Sequence, residues 1–124
     1  MTNPKDWPKN RELWTTALRD PKRRQIKKML GHQDHGGQCC LGVLAEIAGC
    51  TYRRSGFLWD CYCGEAPQLA MDFVGLRTSD GEYLRTSDGE YLNSSLTHDN
   101  DHRGKTFAEI ADIIEEEPEG LFRA

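Results

Sequence analysis

THDNDHRGKTFAEIADIIEE, at positions 97–116, joins a polar segment to an amphipathic helix whose start and inner face can be read from the sequence. Thr106 and Glu109 have the spacing of a capping box, in which the hydroxyl and the carboxylate each bind a free amide of the first turn. Apolar residues then recur at intervals of three and four on one face: Phe107, Ile110, Ala111 and Ile114. Pro118 ends the helix. This capped terminal helix therefore closes one side of the predicted core.

Three further helices are predicted upstream of it, in addition to a basic helix at residues 22–30. Asn10 is a suitable cap for an N-terminal helix with Leu13, Trp14, Ala17 and Leu18 on its inner face. The stretch CCLGVLAEIAG, residues 39–49, carries a single charged residue, Glu46, so we expect this helix to be covered on most sides. The third helix begins at Pro67 and ends at Gly75, which suits the left-handed position after a helix; its predicted face is Leu69, Ala70, Phe73 and Val74.

An octapeptide, RTSDGEYL, occurs at residues 77–84 and again, identically, at residues 85–92. The second Asp-Gly pair lies between two Glu-Tyr-Leu segments, which predicts a β-hairpin at about residues 82–93. A chain that accepted eight extra residues is expected to have done so at an exposed loop tip, away from any catalytic residue. The predicted fold is mainly α (α+β): a compact bundle of about four helices around the buried helix 39–49, with a small hairpin, in a single domain of residues 1–124.

Composition limits the class of protein. The 124 residues contain no apolar run long enough to cross a membrane, and the first ten residues lack the apolar core of a secretory signal. Five cysteines, two of them adjacent, fit reduced thiols better than a disulfide framework. These features predict a cytoplasmic protein that makes no contact with a membrane.

Charge is unevenly distributed. Residues 1–30 contain nine Lys or Arg and three Asp or Glu, whereas the rest of the chain contains seven and seventeen. A basic helix is predicted at residues 22–30, where Arg23 and Arg24 are candidate contacts for phosphate groups. The alternative is that the basic segment pairs with the acidic residues 115–119 of the same domain. The basic segment contains no aromatic residue to stack on a base, which makes a nucleic acid an unlikely partner.

The adjacent cysteines begin the buried helix. A helix N-terminus lowers the pKa of a thiol, so Cys39 or Cys40 is a candidate nucleophile, with His98 as the base. Packing alone also explains the pair, because cysteine is among the most often buried residues.

Other potential ligands do not form a metal motif. The spacings of His32, His35, Cys39, Cys50, Cys61 and Cys63 match neither a zinc finger nor a zinc ribbon. The sequence therefore predicts no metal and no other cofactor.

The polar segment before the terminal helix is a candidate binding loop. Asn100, Asp101, Arg103 and Lys105 combine amide, carboxylate and basic groups next to free helix amides, a combination suited to a small polar ligand or a protein partner. In the alternative interpretation, Asn100 and Asp101 bind their own backbone in an Asx turn.

Two motifs resemble those of small uncharacterised proteins found in phages and prophages. They are CCLGVLAEIAG at residues 39–49 and a terminal ND-x-x-G-x-[ST]-F-x-x-I-A-D-x-I that starts at Asn100. A W-x-x-A-L element at residues 14–18 and Gly-Leu at residues 75–76 belong to the same pattern. The resemblance implies a helical core and a viral origin, and carries no catalytic residue set. The doubled RTSDGEYL and the His-rich GHQDHGG depart from the pattern.

These observations favour a non-enzymatic phage accessory protein in the host cytoplasm. Its expected partner is a host protein or a nucleotide-like small molecule, as in inhibition of a host defence enzyme or sequestration of its nucleotide signal. Two alternatives are a cysteine hydrolase that uses Cys39 or Cys40 and a structural or assembly component.

Overall fold

The computed structural model describes residues 3–26, 31–32, 37–50, 66–87 and 90–123. After a 3-10 turn at Pro4–Asp6, the helices are α1 (Trp7–Leu18), α2 (Cys40–Ile47), α3 (Gln68–Val74), α4 (Leu96–Asp101) and α5 (Phe107–Glu116). The strands are β1 (Arg24–Gln25), β2 (Gly31–His32), β3 (Gly37–Gln38), β4 (Glu82–Ser87) and β5 (Glu90–Ser95). The predicted mainly helical α+β fold is confirmed.

Helix α5 begins with the predicted capping box. Thr106 Oγ1 accepts a hydrogen bond from the Glu109 amide at 3.2 Å, and Glu109 Oε1 accepts one from the Thr106 amide at 3.0 Å. All four residues of the predicted apolar face are buried. The helix ends at Glu116, and Glu117 turns the chain in a left-handed conformation before Pro118.

Helix α2 is the central helix, as predicted. Its first six residues, Cys40 to Ala45, are all buried, and α1, α3 and α4 pack around it. Trp14 of α1 is fully buried and donates a hydrogen bond from Nε1 to the Cys40 carbonyl at 3.0 Å. Apolar burial on several sides of α2 thus forms the centre of the domain.

The predicted start of α1 is wrong. The helix begins at Trp7, and a proline occupies its first turn, where a missing amide is harmless. Asn10 lies inside the helix and donates from Nδ2 to the Phe73 carbonyl at 2.7 Å, so it joins α1 to α3 instead of capping α1. Leu13 was predicted to face inward but is 48% exposed.

Helix α3 has the predicted ends. Pro67 precedes it, and Gly75 follows it with a left-handed φ of 74°. A Cβ at Gly75 would lie 2.6 Å from the Trp7 ring, so the glycine also permits close packing of α1. Ala70 and Val74 are buried, whereas Leu69, predicted to face inward, is 52% exposed.

The predicted basic helix at residues 22–30 is wrong over its described part. Residues 24 and 25 form β1, which pairs in parallel with β3, and β2 pairs with β3 on its other side. The Ile26 amide donates to the Gln38 carbonyl at 2.9 Å and extends this pairing. Long-range pairing has overridden the local helical pattern. Residues 27–30 lie outside the described part.

Strands β4 and β5 form the predicted hairpin. Their antiparallel register runs from Glu82 opposite Ser95 to Ser87 opposite Glu90, so the hairpin extends two residues beyond the predicted end. The predicted turn residues, 88 and 89, lie outside the described part.

The pairing expected between the basic segment and residues 115–119 is not seen for the described residues: Arg23 pairs with Glu46 at 3.0 Å, and the acidic residues near the end of α5 instead contact arginines in and just after α1. Arg11 contacts Glu117 at 2.7 Å, and Arg19 contacts Asp112 at 2.7 Å and Glu115 at 2.9 Å. Among the described residues, no helix is long and apolar enough to cross a membrane.

Candidate functional site

The polar segment predicted as a loop forms a short helix, α4. Ser95 begins it, because its Oγ accepts a hydrogen bond from the His98 amide at 3.0 Å. Gly104, with a left-handed φ of 66°, turns the chain from α4 towards α5. The sequence pattern missed this helix because six residues are too few to show a periodic face.

Asn100 lies in the interior and joins three segments of the chain through four hydrogen bonds. It is 1% exposed. Its Oδ1 accepts from Gln25 Nε2 at 2.8 Å and from the Cys40 amide at 3.3 Å. Its Nδ2 donates to the Ile26 carbonyl at 2.8 Å and to Asp101 Oδ1 at 2.9 Å. These four bonds use the hydrogen-bonding capacity of the amide, so the prediction that Asn100 binds a ligand is wrong.

Asp99 forms a second buried network next to it. One carboxylate oxygen accepts from the Tyr83 hydroxyl, and the other accepts from Arg103 Nη1 at 3.0 Å. Burial, reinforced by the hydrogen bond to Asp99, raises the pKa of Tyr83 to about 12, so this phenol is a neutral donor. Arg103 is therefore the ion-pair partner of a fully buried carboxylate, and its predicted contact with a ligand stays a prediction.

Asp101 and Lys105 belong to the same internal arrangement. Asp101 is buried and accepts from Asn100, so its carboxylate is not a surface ligand as predicted. The Lys105 carbonyl accepts from Gln25 Nε2 at 2.8 Å, and its amide donates to the Asp99 carbonyl at 3.0 Å. The four predicted residues are thus brought together, but their described contacts stabilise the junction of β1, α2 and α4.

The two adjacent thiols are buried. Cys39 is 4% exposed, and burial raises its pKa to about 12. Burial also raises the pKa of Cys40 well above its usual value, and the Cys40 sulfur lies 3.6 Å from the Leu96 carbonyl oxygen. Loss of solvation therefore outweighs the helix N-terminus, and the predicted lowering of the thiol pKa is wrong. His98, the predicted base, is exposed, with its ring 5.3 Å from that of His102.

The two candidate arginines of the basic segment differ in environment. Arg23 donates from Nη1 to Gln38 Oε1 and to Glu46 Oε2, each at 3.0 Å, so its terminal group is held within the protein. Arg24 is exposed on β1. Of this pair, Arg24 is the one placed to meet a partner in solution.

A pocket of about 420 Å³ lies between the hairpin and the start of α4. It is lined by Arg77, Glu82 and Tyr83, by Asn93 and Ser95 of the paired strand β5, and by His98 of α4. The Arg77 Nε donates to the Gly120 carbonyl, which fixes the direction of the guanidinium. The floor includes Tyr83, whose hydroxyl binds the buried Asp99, so a surface pocket is connected to the internal polar network.

Sequence reasoning missed this pocket. Arg77 and Tyr83 belong to the first RTSDGEYL copy, a segment expected to be a dispensable loop tip. Tyr83 is in fact buried, and the available signal was an aromatic residue within a strand pattern. The repeat obscured it, because Tyr83 and Tyr91 have the same local sequence.

The described residues contain no group of three or more metal-ligating side chains. Cys50 is half-buried, and burial raises its pKa. The remaining predicted candidates, His35, Cys61 and Cys63, lie outside the described part, as does the side chain of His32.

A family model described as a domain of unknown function (DUF8296) matches residues 8–118. The chain belongs to this family. Comparison with curated proteins and with solved structures gives no match. The DUF8296 match extends from α1 to just beyond the end of α5, and so includes both the buried polar network and the hairpin pocket.

Proposed function

We propose that this protein is a phage accessory protein that binds a small polar ligand of nucleotide type in the hairpin pocket, without covalent chemistry. The observation that supports it is the pocket itself, whose volume of about 420 Å³ falls within the usual range for small-molecule sites. Its mainly polar lining favours a polar ligand, and its concave shape favours a small molecule over a host protein.

The chemistry of the lining indicates which groups such a ligand carries. Arg77 is held in place by its bond to the Gly120 carbonyl, and a guanidinium of fixed direction suits a phosphate or carboxylate. Glu82 and Asn93 add acceptors for hydroxyl or amino groups. A phosphorylated sugar or nucleoside satisfies both requirements.

The cysteines support binding over hydrolysis. A nucleophilic thiol needs a lowered pKa and access to substrate, whereas Cys39 and Cys40 are buried and have raised pKa values. A base at His98 would also lie on the exposed surface, away from buried sulfur atoms.

A viral role in counter-defence is supported by the resemblance to phage proteins in the CCLGVLAEIAG and terminal motifs. A small protein that holds a nucleotide without cleaving it removes a signal from solution in proportion to its own concentration. This role needs a pocket and no catalytic residue.

Thermal melting with a panel of mono-, di- and cyclic nucleotides, together with inorganic phosphate, tests the proposal. We expect at least one nucleotide to raise the melting temperature of the wild type, because a ligand that binds the folded state stabilises it. Arg77→Gln should abolish that rise. Arg24→Gln, which removes an exposed arginine outside the pocket, should retain it.

Two results would count against this function. One is a panel in which no nucleotide changes the melting temperature of the wild type. The other is an Arg77→Gln protein that responds as strongly as the Arg24→Gln control.

A further inference from the structure

The first copy of the octapeptide, residues 77–84, is bound to the rest of the domain along its length. The Arg77 amide donates to the Leu121 carbonyl at 3.0 Å, and the Leu84 amide donates to the Glu119 carbonyl at 2.8 Å. Between them, the Gly81 carbonyl accepts from the Leu96 amide at 3.0 Å. Tyr83 reaches the buried Asp99. This copy therefore supplies one wall of the core.

The second copy, residues 85–92, pairs with itself. Its first residue, Arg85, stands opposite its last, Leu92, and the two pairs between them also join residues of this copy. The pairs that join the hairpin to its base are Glu82 with Ser95, Tyr83 with Ser94 and Leu84 with Asn93. The second copy is thus a self-contained hairpin tip whose two ends meet.

Because the two copies are identical, the second carries the same side chains as the first and could make its contacts with the core, except for the Leu84–Asn93 pair. We propose that the chain exchanges between two registers, in which either copy occupies the core position and the other is extruded as a hairpin tip. In the second register Gly89 replaces Gly81 beside Leu96, and Tyr91 replaces Tyr83 as the donor to Asp99.

The second register is close in energy to the first because the two contain nearly the same number of cross-strand pairs. The observed hairpin contains six cross-strand pairs. In the second register the extruded copy keeps three pairs of its own, and Glu90 with Ser95 and Tyr91 with Ser94 form two more around a Leu92–Asn93 turn. The second register therefore has one cross-strand pair fewer than the observed one, and its ladder is interrupted.

The exchange would change the pocket. In the first register, residues 82–84 pair with residues 93–95, and these paired residues line the pocket. In the second, Glu90 and Tyr91 take the places of Glu82 and Tyr83, but the Leu84–Asn93 pair is replaced by a tight turn. A ligand that contacts this pair would therefore select the first register. This consequence rests on the proposed function, whereas the exchange itself does not.

Valine substitutions in the full chain test the exchange. Gly81 has a left-handed φ of 68°, and a Cβ there would lie 2.9 Å from the Leu96 Cγ, so valine excludes the first copy from the core. Gly81→Val should still fold, by adopting the second register, and should lose less than about 10 °C in melting temperature. Gly89→Val leaves the first register in place and serves as the matched control.

The double variant leaves no copy able to enter the core. Its melting temperature should fall by more than about 20 °C, and by more than the sum of the two single losses. Hydrogen exchange adds a direct readout, because valine makes the copies distinguishable by mass. In Gly81→Val, the amides of the first copy should lose protection and those of the second should gain it.

The proposal is overturned if the loss of melting temperature in the double variant equals the sum of the losses in the two single variants, whether these losses are large or small. Such a result shows that neither copy compensates for the other. So does a Gly81→Val protein that is unfolded while Gly89→Val is folded. Protection that stays with the first copy in Gly81→Val also contradicts the exchange.

Discussion

At the scale of single residues, Asn100 decides how the polar interior is arranged. One side chain binds β1, the first amide of α2 and its own helix. A residue expected to contact a ligand is therefore a structural junction. The sequence showed an amide in a polar segment, but it could not show that Gln25, 75 positions earlier, would be its partner.

Asn100→Ala should destabilise the domain by about 3 kcal/mol, because it leaves the buried Cys40 amide and the part-buried Ile26 carbonyl without their partner. Urea unfolding measures the change. Asn93→Ala removes an exposed amide and should alter stability by less than about 0.5 kcal/mol. Equal losses in the two variants would contradict the role assigned to Asn100.

The thiols of Cys39 and Cys40 should react only when the fold opens. Iodoacetamide at neutral pH, with fragment mass spectra to distinguish the cysteines, should modify both at least about 100-fold more slowly than half-buried Cys50. In concentrated urea the difference should disappear. Rapid alkylation of Cys39 in the native protein would contradict this prediction and support the cysteine hydrolase interpretation.

At the scale of elements, the sequence predicted those with a strong local pattern. The capping box and apolar face of α5, the Pro67 and Gly75 boundaries of α3 and the apolar stretch of α2 are all local features, and all are confirmed. The predicted basic helix was wrong because β1 forms by pairing with β3. Each residue of β1 pairs with a residue thirteen positions later in the chain, which a local pattern does not show. The sequence did not predict helix α4, because a helix of about one and a half turns is too short to show a repeating apolar pattern.

The hairpin tip is an element that the domain should not need. Deletion of residues 85–92 removes the copy that pairs with itself and leaves the core contacts of the first copy in place. The shortened chain should melt cooperatively within about 8 °C of the wild type, since about 1 kcal/mol shifts the melting temperature of a small domain by several degrees. Circular dichroism measures this directly.

The same deletion keeps every residue that lines the pocket and converts the Leu84–Asn93 pair into a turn, so it should weaken ligand binding without abolishing it. A shortened chain that fails to melt cooperatively would show that the second copy contributes to the core. Nucleotide binding equal to that of the wild type would show that the Leu84–Asn93 pair contributes nothing to the site.

At the scale of the whole molecule, opposite charges join the two ends of the chain. Arg11 of α1 and Arg19, just after α1, contact carboxylates on or just after α5. Contacts within the domain therefore balance part of the charge asymmetry of the sequence, although exposed pairs of this kind contribute little individually. The pocket could not be predicted from the sequence. It depends on which copy of RTSDGEYL packs against the core and which forms the hairpin tip, and the two copies are identical.

Stability of the whole molecule should fall in alkaline solution. The neutral forms of Cys39 and Tyr83 are favoured in the folded state, where burial raises the pKa of each to about 12. Their contributions are complete below the unfolded values, about 8.5 for cysteine and 10 for tyrosine, and are lost as pH rises towards the folded values. Urea midpoints measured from pH 7 to 11 should therefore decrease, and Cys39→Ala should make the decrease shallower. An unchanged slope in Cys39→Ala would contradict this origin.

Non-covalent binding is the central claim, and a native mass spectrum of the protein purified from bacterial lysate tests it most directly. The account predicts a small-molecule adduct that disappears on denaturation and is missing from Arg77→Gln. A bare mass in the native spectrum, together with a wild-type melting temperature that no nucleotide alters, would contradict it.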